Sequence, residues 1–395
     1  MSNVIQKAHK IKLYPTVRQE GLLARSCGVA RFAYNWALNK WQEDYKKGIK
    51  QSAYSLIKHL NSIKRIEFPW MQETSKTCSQ YAIHNLESAY KKMWKEGSAY
   101  PKFKKKGIKD SFLAIENKEA FGQKDFKIRI PKIGWIKCAE NIRFEGKVNN
   151  VSVKRVANNW FAIVNVELPI EIPMVIENQE AVGIDMGIKT MLVLSNGVVY
   201  ENPKALRSNL RSLKRLQRSL SRKVKGSKNR AKARMLVAKK HYRISCIRSS
   251  TINQATSEIV SKYGKLVIET LRPANMMKNK NLSLSVSDVS FGEIARQLNY
   301  KAKWAGKEVV KADQWFASSK TCSCCGHKKT ELKLSERVYK CDQCGIVMDR
   351  DLNAAKNLAK YSPTPKSGGC KACGESSSSS EKKVRGSVKQ ELNIN

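Results

Sequence analysis

Two Cys-x-x-Cys pairs, Cys322/Cys325 and Cys341/Cys344, constrain this 395-residue chain more than any other feature. Fifteen residues separate the inner cysteines, and Gly326 and Gly345 each follow the second cysteine of a pair. A glycine there allows the tight turn that aims both sulfurs at one ion. Four thiolates at this spacing define a closed tetrahedral Zn²⁺ site, structural rather than catalytic. Asp349-Arg350-Asp351 follows at once and opens a helical run whose apolar residues Leu352, Ala355 and Ala359 share a face. Carboxylates at the mouth of a helix, directly after a metal ribbon, need a reason.

Composition narrows the partner. The chain carries 75 Lys and Arg against 33 Asp and Glu, a net charge of +42. Such an imbalance points to a polyanion, with nucleic acid the default. No segment approaches the ~18–20 apolar residues of a membrane-spanning helix, so no membrane role is expected. The first twelve residues are polar and charged, unlike a signal peptide. The eleven cysteines therefore read as metal ligands and buried thiols in a reducing cytoplasm or nucleoid, not as disulfides. The length suits two or three domains.

Residues 7–14 alternate as a strand that Pro15 ends, and Thr16 with Gln19 forms a capping box for a helix running toward Gly48. Further helices are expected over 52–64 and 75–95, their apolar stripes facing a core. Lys91, Lys92, Lys95 and the run 102–106 are candidate phosphate contacts, although each lysine alone reads equally well as solvated surface. From 111 to 168 the period becomes two. Strands are expected over 126–135 and 151–168, the second folding back at Asn158-Asn159. A strand, a helical insertion and more strands suggest an interrupted β-barrel, with 168–180 as the linker out of it.

Residues 181–200, AVGIDMGIKTMLVLSNGVVY, read as three strands joined by tight turns. Asp185 closes the first, between Gly183 and Gly187. RNase H-like folds present a metal-binding carboxylate on such a hairpin, and actin-like ATPases present a phosphate loop on one. Seventeen Lys or Arg and no acidic residue occupy 203–252, with leucines along one side, which fits two basic amphipathic helices around Gly226. KLVIET, 265–270, is a buried strand ending in Glu269. An acid there is ordinarily a surface cap, but a parallel neighbour would set it beside Asp185. A helix over 291–306 and a strand over 308–313 lead to the ribbon. Beyond 360 periodicity is lost, and the serine run at 376–380 marks a tail expected to be disordered. Cys324, His327, Cys370 and Cys373 are surplus to the metal site.

Asp185, Glu269 and one of Asp349/Asp351 thus stand out. Hard oxygen ligands at strand and helix ends suit Mg²⁺. Two such ions about 3.5–4 Å apart can activate a water and stabilise the leaving 3′ oxygen in phosphodiester cleavage. Asp351 lies closer than Asp349 to the apolar stripe and so is the better placed of the two to face the sheet. Asp349 is left for capping.

These residues resemble those of TnpB, the transposon-encoded OrfB nucleases related to the type V CRISPR effectors. The resemblance runs through Ile11-Lys-Leu-Tyr-Pro-Thr16, Arg31-Phe-Ala-Tyr-Asn35, Tyr100-Pro-Lys-Phe103 and Pro131-Lys-Ile-Gly-Trp135. It continues in Gly183-Ile-Asp-Met-Gly187, Val267-Ile-Glu269, Tyr300-Lys-Ala302, Ser318-Ser-Lys-Thr-Cys322 and Asp349-Arg-Asp-Leu-Asn-Ala-Ala355. It implies a multidomain α+β chain built on an RNase H-like (RuvC) nuclease. The implied parts are a wedge-like barrel (1–16 and 108–176) interrupted by a helical recognition domain (17–107), then the RuvC-like domain (177–318 and 349–362). A zinc-ribbon insertion (319–348) and a tail (363–395) complete the chain. It further implies catalysis by Asp185, Glu269 and Asp351 as Mg²⁺ ligands, with Cys322, Cys325, Cys341 and Cys344 holding Zn²⁺. The partners implied are a guide RNA from the transposon end and a double-stranded DNA target beside a short flanking motif. A monomer with one RNA is expected. The chain departs from the family at Asn253-Gln254, where a His-Lys pair is expected, and at Thr270, where an acid is common.

A nuclease-inactive RNA-guided repressor is the alternative, but such a descendant should have lost a carboxylate and here all three stand. An actin-like ATPase needs a second phosphate loop and a glycine-rich adenosine motif, neither of which is found. A bare zinc-ribbon RNA-binding module leaves Asp185 and Glu269 unexplained.

Overall fold

The structure is a computed structural model and describes residues 4–115, 121–169, 180–333 and 336–362. The linker expected over 168–180 falls mostly outside these residues, as do the tail and the Cys370/Cys373 pair.

The chain opens with β1 (Val4–Tyr14), which Pro15 ends. Thr16 then caps α1 (Val17–Lys46). Its hydroxyl accepts from the Gln19 amide at 3.3 Å, while Gln19 Oε1 accepts from the Thr16 amide at 3.0 Å, so two donors are satisfied reciprocally. α2 (Ala53–Ile63) and α3 (Lys76–Glu96) follow. The chain then returns to strands: β2 (Ser111–Ile115), β3 (Gly122–Lys124), β4 (Lys127–Ile130), β5 (Gly134–Cys138), β6 (Lys147–Val156) and β7 (Asn159–Pro169). These join β1 in one antiparallel sheet of order β2-β6-β7-β1-β5-β4-β3. Leu23, Leu38, Ile83 and Leu86 of the helices share a single buried core with Ile11, Val151 and Val164 of the sheet. The helical insertion is thus packed on the sheet that it interrupts.

Two expectations shift here. The segment 126–135 is a hairpin rather than one strand, because Pro131 offers no amide to a ladder and Lys132 and Gly134 take positive φ. The β6–β7 turn falls one residue earlier than expected, on Ala157 and Asn158, with φ of 48° and 72°. Both central residues are left-handed, which matches the twist of the flanking strands.

The second half builds a mixed sheet from β8 (Ala181–Met186), β9 (Thr190–Leu194), β10 (Val199–Glu201), β11 (Lys265–Ile268) and β12 (Glu308–Lys311). Its order is β10-β9-β8-β11-β12, with β8, β11 and β12 parallel and β9 antiparallel to β8. The two expected basic helices, α4 (Ala205–Ser221) and α5 (Lys228–Lys262), separate β10 from β11. The short α6 (Pro273–Met276) and α7 (Ser283–Val289) then precede α8 (Phe291–Trp304). Strands alternate their side chains, and the faces divide cleanly. Val182, Ile184 and Met186 pack with Ile252 and Ile259 of α5 and Ile294 and Leu298 of α8. The opposite face carries Gly183, Val267 and Val310, and meets the last helix, α9 (Arg350–Ala359), through Leu358. A two-stranded ribbon, β13 (Val338–Lys340) and β14 (Val347–Asp349), leads directly into α9.

Candidate active site and metal centre

The parallel register pairs Ile184 with Ile268, so Asp185 and Glu269 are each the next residue along on neighbouring strands. Alternation puts Asp185 on the face of Gly183 and Glu269 on the face of Val267, which is the face α9 covers. A Cβ on Gly183 would come within 1.9 Å of the Ala355 carbonyl oxygen and 2.4 Å of the Ala359 amide. Helix and strand therefore touch backbone to backbone, and Asp351, one turn before Ala355, reaches the same end of the sheet.

Asp349 and Asp351 have different tasks. Asp349 is the N-cap: its Oδ1 accepts from the amides of Asp351 (2.9 Å) and Leu352 (3.0 Å). Asp351 is half-buried, and burial first, then the nearby Asp349, raises its pKa, against a pull from Arg337, Arg350 and Lys189. The Asp185 carboxyl, in a crowded recess that keeps part of its surface open, is raised well above the usual carboxylate range. Burial is the largest cause, and Glu269 and Asp351 add like charge. A cation would relieve the like-charge crowding at Asp185 and Asp351, and oxygen donors of this kind suit a hard divalent ion.

Sequence reasoning missed three groups around this site. The Ser318 hydroxyl donates to Glu269 Oε1 at 2.8 Å and holds that carboxylate from the side of β12. Asn353 and Asn357, buried on one face of α9, clasp the metal ribbon. Asn353 Oδ1 accepts from the Ser323 amide at 2.9 Å, and its Nδ2 donates to the Thr321 carbonyl at 2.7 Å. Asn357 Nδ2 donates to the Ser318 and Thr321 carbonyls at 2.8 and 2.6 Å. Their spacing of four was the available signal. Lys189, Lys204, Arg207 and Arg337 line a cavity on the side of Asp351.

The four cysteines meet as the spacing predicts. Among the described residues theirs is the one group whose ligand atoms all lie within 4.8 Å of one another, so the three carboxylates are more widely spread. The Cys322–Cys344 and Cys325–Cys341 sulfurs stand 3.6 and 3.5 Å apart. A tetrahedron with Zn–S bonds of ~2.3 Å has edges of ~3.8 Å, so the cage fits zinc closely. Both knuckles close alike, with the Gly326 amide on the Cys322 carbonyl and the Gly345 amide on that of Cys341. Both glycines have positive φ, 78° and 72°. The Cys344 amide donates to the Cys341 sulfur at 3.5 Å, and chiefly through this bond the Cys341 thiol is lowered to about 6. Cys324 is exposed and stands outside the cage.

Fold and site together define a mixed α/β, multidomain protein in which a four-cysteine metal knuckle abuts a carboxylate cluster. Three family models match it. Residues 163–280 match the OrfB_IS605 model described as a probable transposase, and 291–358 the Cas12f1-like TNB domain. Residues 1–50 match the OrfB_IS605 helix-turn-helix domain, although that stretch is a strand and a single 30-residue helix. The "Putative RNA-guided DNA endonuclease InsQ" of Escherichia coli K12 is 30% identical over 89% of this chain and 91% of its own. A "Putative RNA-guided DNA endonuclease" of Streptomyces pristinaespiralis is 33% identical over 99% of this chain and 97% of its own. The protein of the Cas12f1-sgRNA-target DNA complex, solved by cryo-EM, shares the fold. Its TM-score is 0.57 at 16% identity, covering 90% of this chain and 99% of that one. The chain belongs to the OrfB_IS605, or TnpB, family.

Proposed function

We propose that this chain is an RNA-guided, Mg²⁺-dependent DNA endonuclease that hydrolyses DNA paired to a guide RNA beside a short flanking motif. One observation carries the reading: Asp185 and Glu269 end adjacent parallel strands, on the face where α9 brings Asp351. Counted from its own first strand, the second sheet has the order 3-2-1-4-5 with strand 2 antiparallel, which supports an RNase H-like (RuvC) assignment. The antiparallel sheet and its helical insertion are then the wedge-like barrel (1–16, 108–176) and the recognition domain (17–107). Residues 177–318 and 349–362 are the nuclease, and 319–348 is its ribbon insertion.

In this reading Asp185, Glu269 and Asp351 would hold Mg²⁺, as a two-metal hydrolysis requires. The ions supply the Lewis acidity and charge neutralisation that phosphodiester hydrolysis needs. The protein's own part is positional. Ser318 orients Glu269, Asp349 anchors the helix bearing Asp351, and Lys189 and Arg337 are placed to meet backbone phosphates. Zinc in the four-cysteine cage fixes the ribbon whose backbone Asn353 and Asn357 grip, so it supports Asp351 without joining the chemistry. The net charge of +42 suits a protein that reads a heteroduplex by backbone and shape as a monomer with one RNA.

The test is to sequence the RNA that co-purifies, then offer matched duplexes carrying randomised flanks. Wild-type protein should cut a subset of flanks with Mg²⁺ and none with EDTA, and Asp185→Ala should bind without cutting. Targets left intact under every flank, or equal cleavage by Asp185→Ala, would sink the reading.

A further inference from the structure

We propose that Trp315 is a stacking platform for an unpaired nucleobase of the DNA strand entering the carboxylate site. This rests on the nuclease reading for the identity of the strand. Trp315 lies in the turn after β12 and is 85% exposed. The turn itself is firmly held. The Trp315 amide donates to Asp313 Oδ1 at 2.8 Å, the Phe316 amide to the Asp313 carbonyl at 3.1 Å, and the Asp313 amide to the Tyr361 hydroxyl at 3.2 Å. Phe316 turns inward, edge-on to Tyr361 with ring centroids 4.9 Å apart. Trp315 turns outward, and among the described residues no aromatic ring or cation covers its indole. A fixed backbone that directs one aromatic into the core and the next into water costs apolar exposure unless a ligand covers it.

Its position identifies that ligand. Three residues on, Ser318 holds Glu269, so the α-carbons of Trp315 and Ser318 are at most about 11 Å apart, as three peptide units allow no more. Lys311, four residues before, pairs in register with Ile268, the neighbour of Glu269. On the other face of the sheet from α9, a shallow groove lies between α8 and β12. Arg296, Lys303, Lys307 and Lys311 line it and no carboxylate does. An exposed aromatic held this close along the chain to the residue that bonds Glu269 can take a base of single-stranded nucleic acid on its ring, in a chain whose net charge of +42 leaves many cations for the phosphates. A protein partner would need a wider apolar patch, yet Asp313 and Gln314 beside the indole are exposed and polar. Stacking tolerates any base, which suits a nuclease whose sequence choice lies in its guide.

The test uses the full-length chain with its co-purified RNA and the Asp185→Ala change, so that no cutting occurs. The probe is an oligothymidylate carrying one 2-aminopurine. Binding should quench the 2-aminopurine, Trp315→Ala should lose that quenching and bind about tenfold more weakly, and Trp315→Phe should retain most of both. Equal quenching and affinity in Trp315→Ala would overturn the platform. So would a loss that Trp315→Phe fails to rescue. Cleavage by the otherwise wild-type chain separates the two readings. Cutting without a Trp315-dependent quench removes the platform and keeps the nuclease. A Trp315-dependent quench in a chain that never cuts does the reverse.

Discussion

Gly183 and Ala355 meet so closely that the side-chain carbon Gly183 lacks would stand 1.9 Å from the Ala355 carbonyl oxygen. The contact lies two residues before Asp185 and one helical turn after Asp351, so it sets how far apart those carboxylates can be. Gly183→Ala should push α9 off the sheet. Overpacking of this kind costs about 1–3 kcal/mol, and here the obstacle is backbone, which cannot rotate away. A lowered melting temperature is expected, with Mg²⁺-dependent cleavage lost even in the fraction that stays folded. Wild-type cutting by Gly183→Ala would show that the close approach does not position the site.

Asp349 and Asp351 should separate cleanly by mutation. Asp349 spends its Oδ1 on the amides of Asp351 and Leu352, so Asp349→Ala removes an N-cap worth about 1 kcal/mol. It should lower stability by that order and leave measurable cleavage. Asp351→Ala removes no cap. It should melt close to wild type and cut no target in single-turnover assays. The reverse pattern would transfer the metal-ligand role to Asp349.

Zinc should leave in acid, and the sign follows from the thiols. The metal needs thiolates, so protons compete with it. Hydrogen bonding lowers Cys341 to about 6 while the shared sulfur contacts raise Cys325 and push Cys344 up to about 12, so zinc must displace protons from the cage and the competition turns against it as pH falls. Zinc should be retained near neutrality and released progressively as the pH is lowered, read by a chromogenic chelator. Loss of zinc should also weaken cleavage, because Asn353 and Asn357 of α9 are bonded to the ribbon's backbone. Cysteine substitution, Cys341→Ser, should lower both zinc content and folded yield at neutral pH.

The parts of this fold that were legible in sequence are those specified by local pattern. The Cys pairs with their glycines, the Thr16–Gln19 cap and the strand–turn–strand around Asp185 carry their own geometry within a few residues. The wheel argument that put Asp351 rather than Asp349 toward the sheet needed only the period of a helix. What escaped notice acts across the fold. Ser318 matters because the turn after β12 happens to pass Glu269, and Asn353 and Asn357 matter because a knuckle lies above them. Ser318 has no signature on its own turn, and a spacing of four is all that α9 offers for Asn353 and Asn357. The broken strand at Pro131–Gly134 is a different failure, since its proline was visible and outweighed by the alternation around it.

Ser318 offers the sharpest test of how the site is held. Its hydroxyl donates to Glu269 Oε1 at 2.8 Å, and its own carbonyl accepts from Asn357. The side chain thus serves the carboxylate while the backbone serves the latch, and mutation of the hydroxyl touches only the first. A hydrogen bond to a charged group contributes about 1.5–3 kcal/mol. If most of that is spent on orienting Glu269, Ser318→Ala should cut kcat by about 10- to 100-fold, at 1.4 kcal/mol per decade. Target binding should not change, because no nucleic-acid contact is removed, and Ser318→Thr should restore much of the rate. An unchanged kcat would mean that the strand end alone aims Glu269. A fall in binding equal to the fall in rate would place Ser318 on the nucleic acid instead.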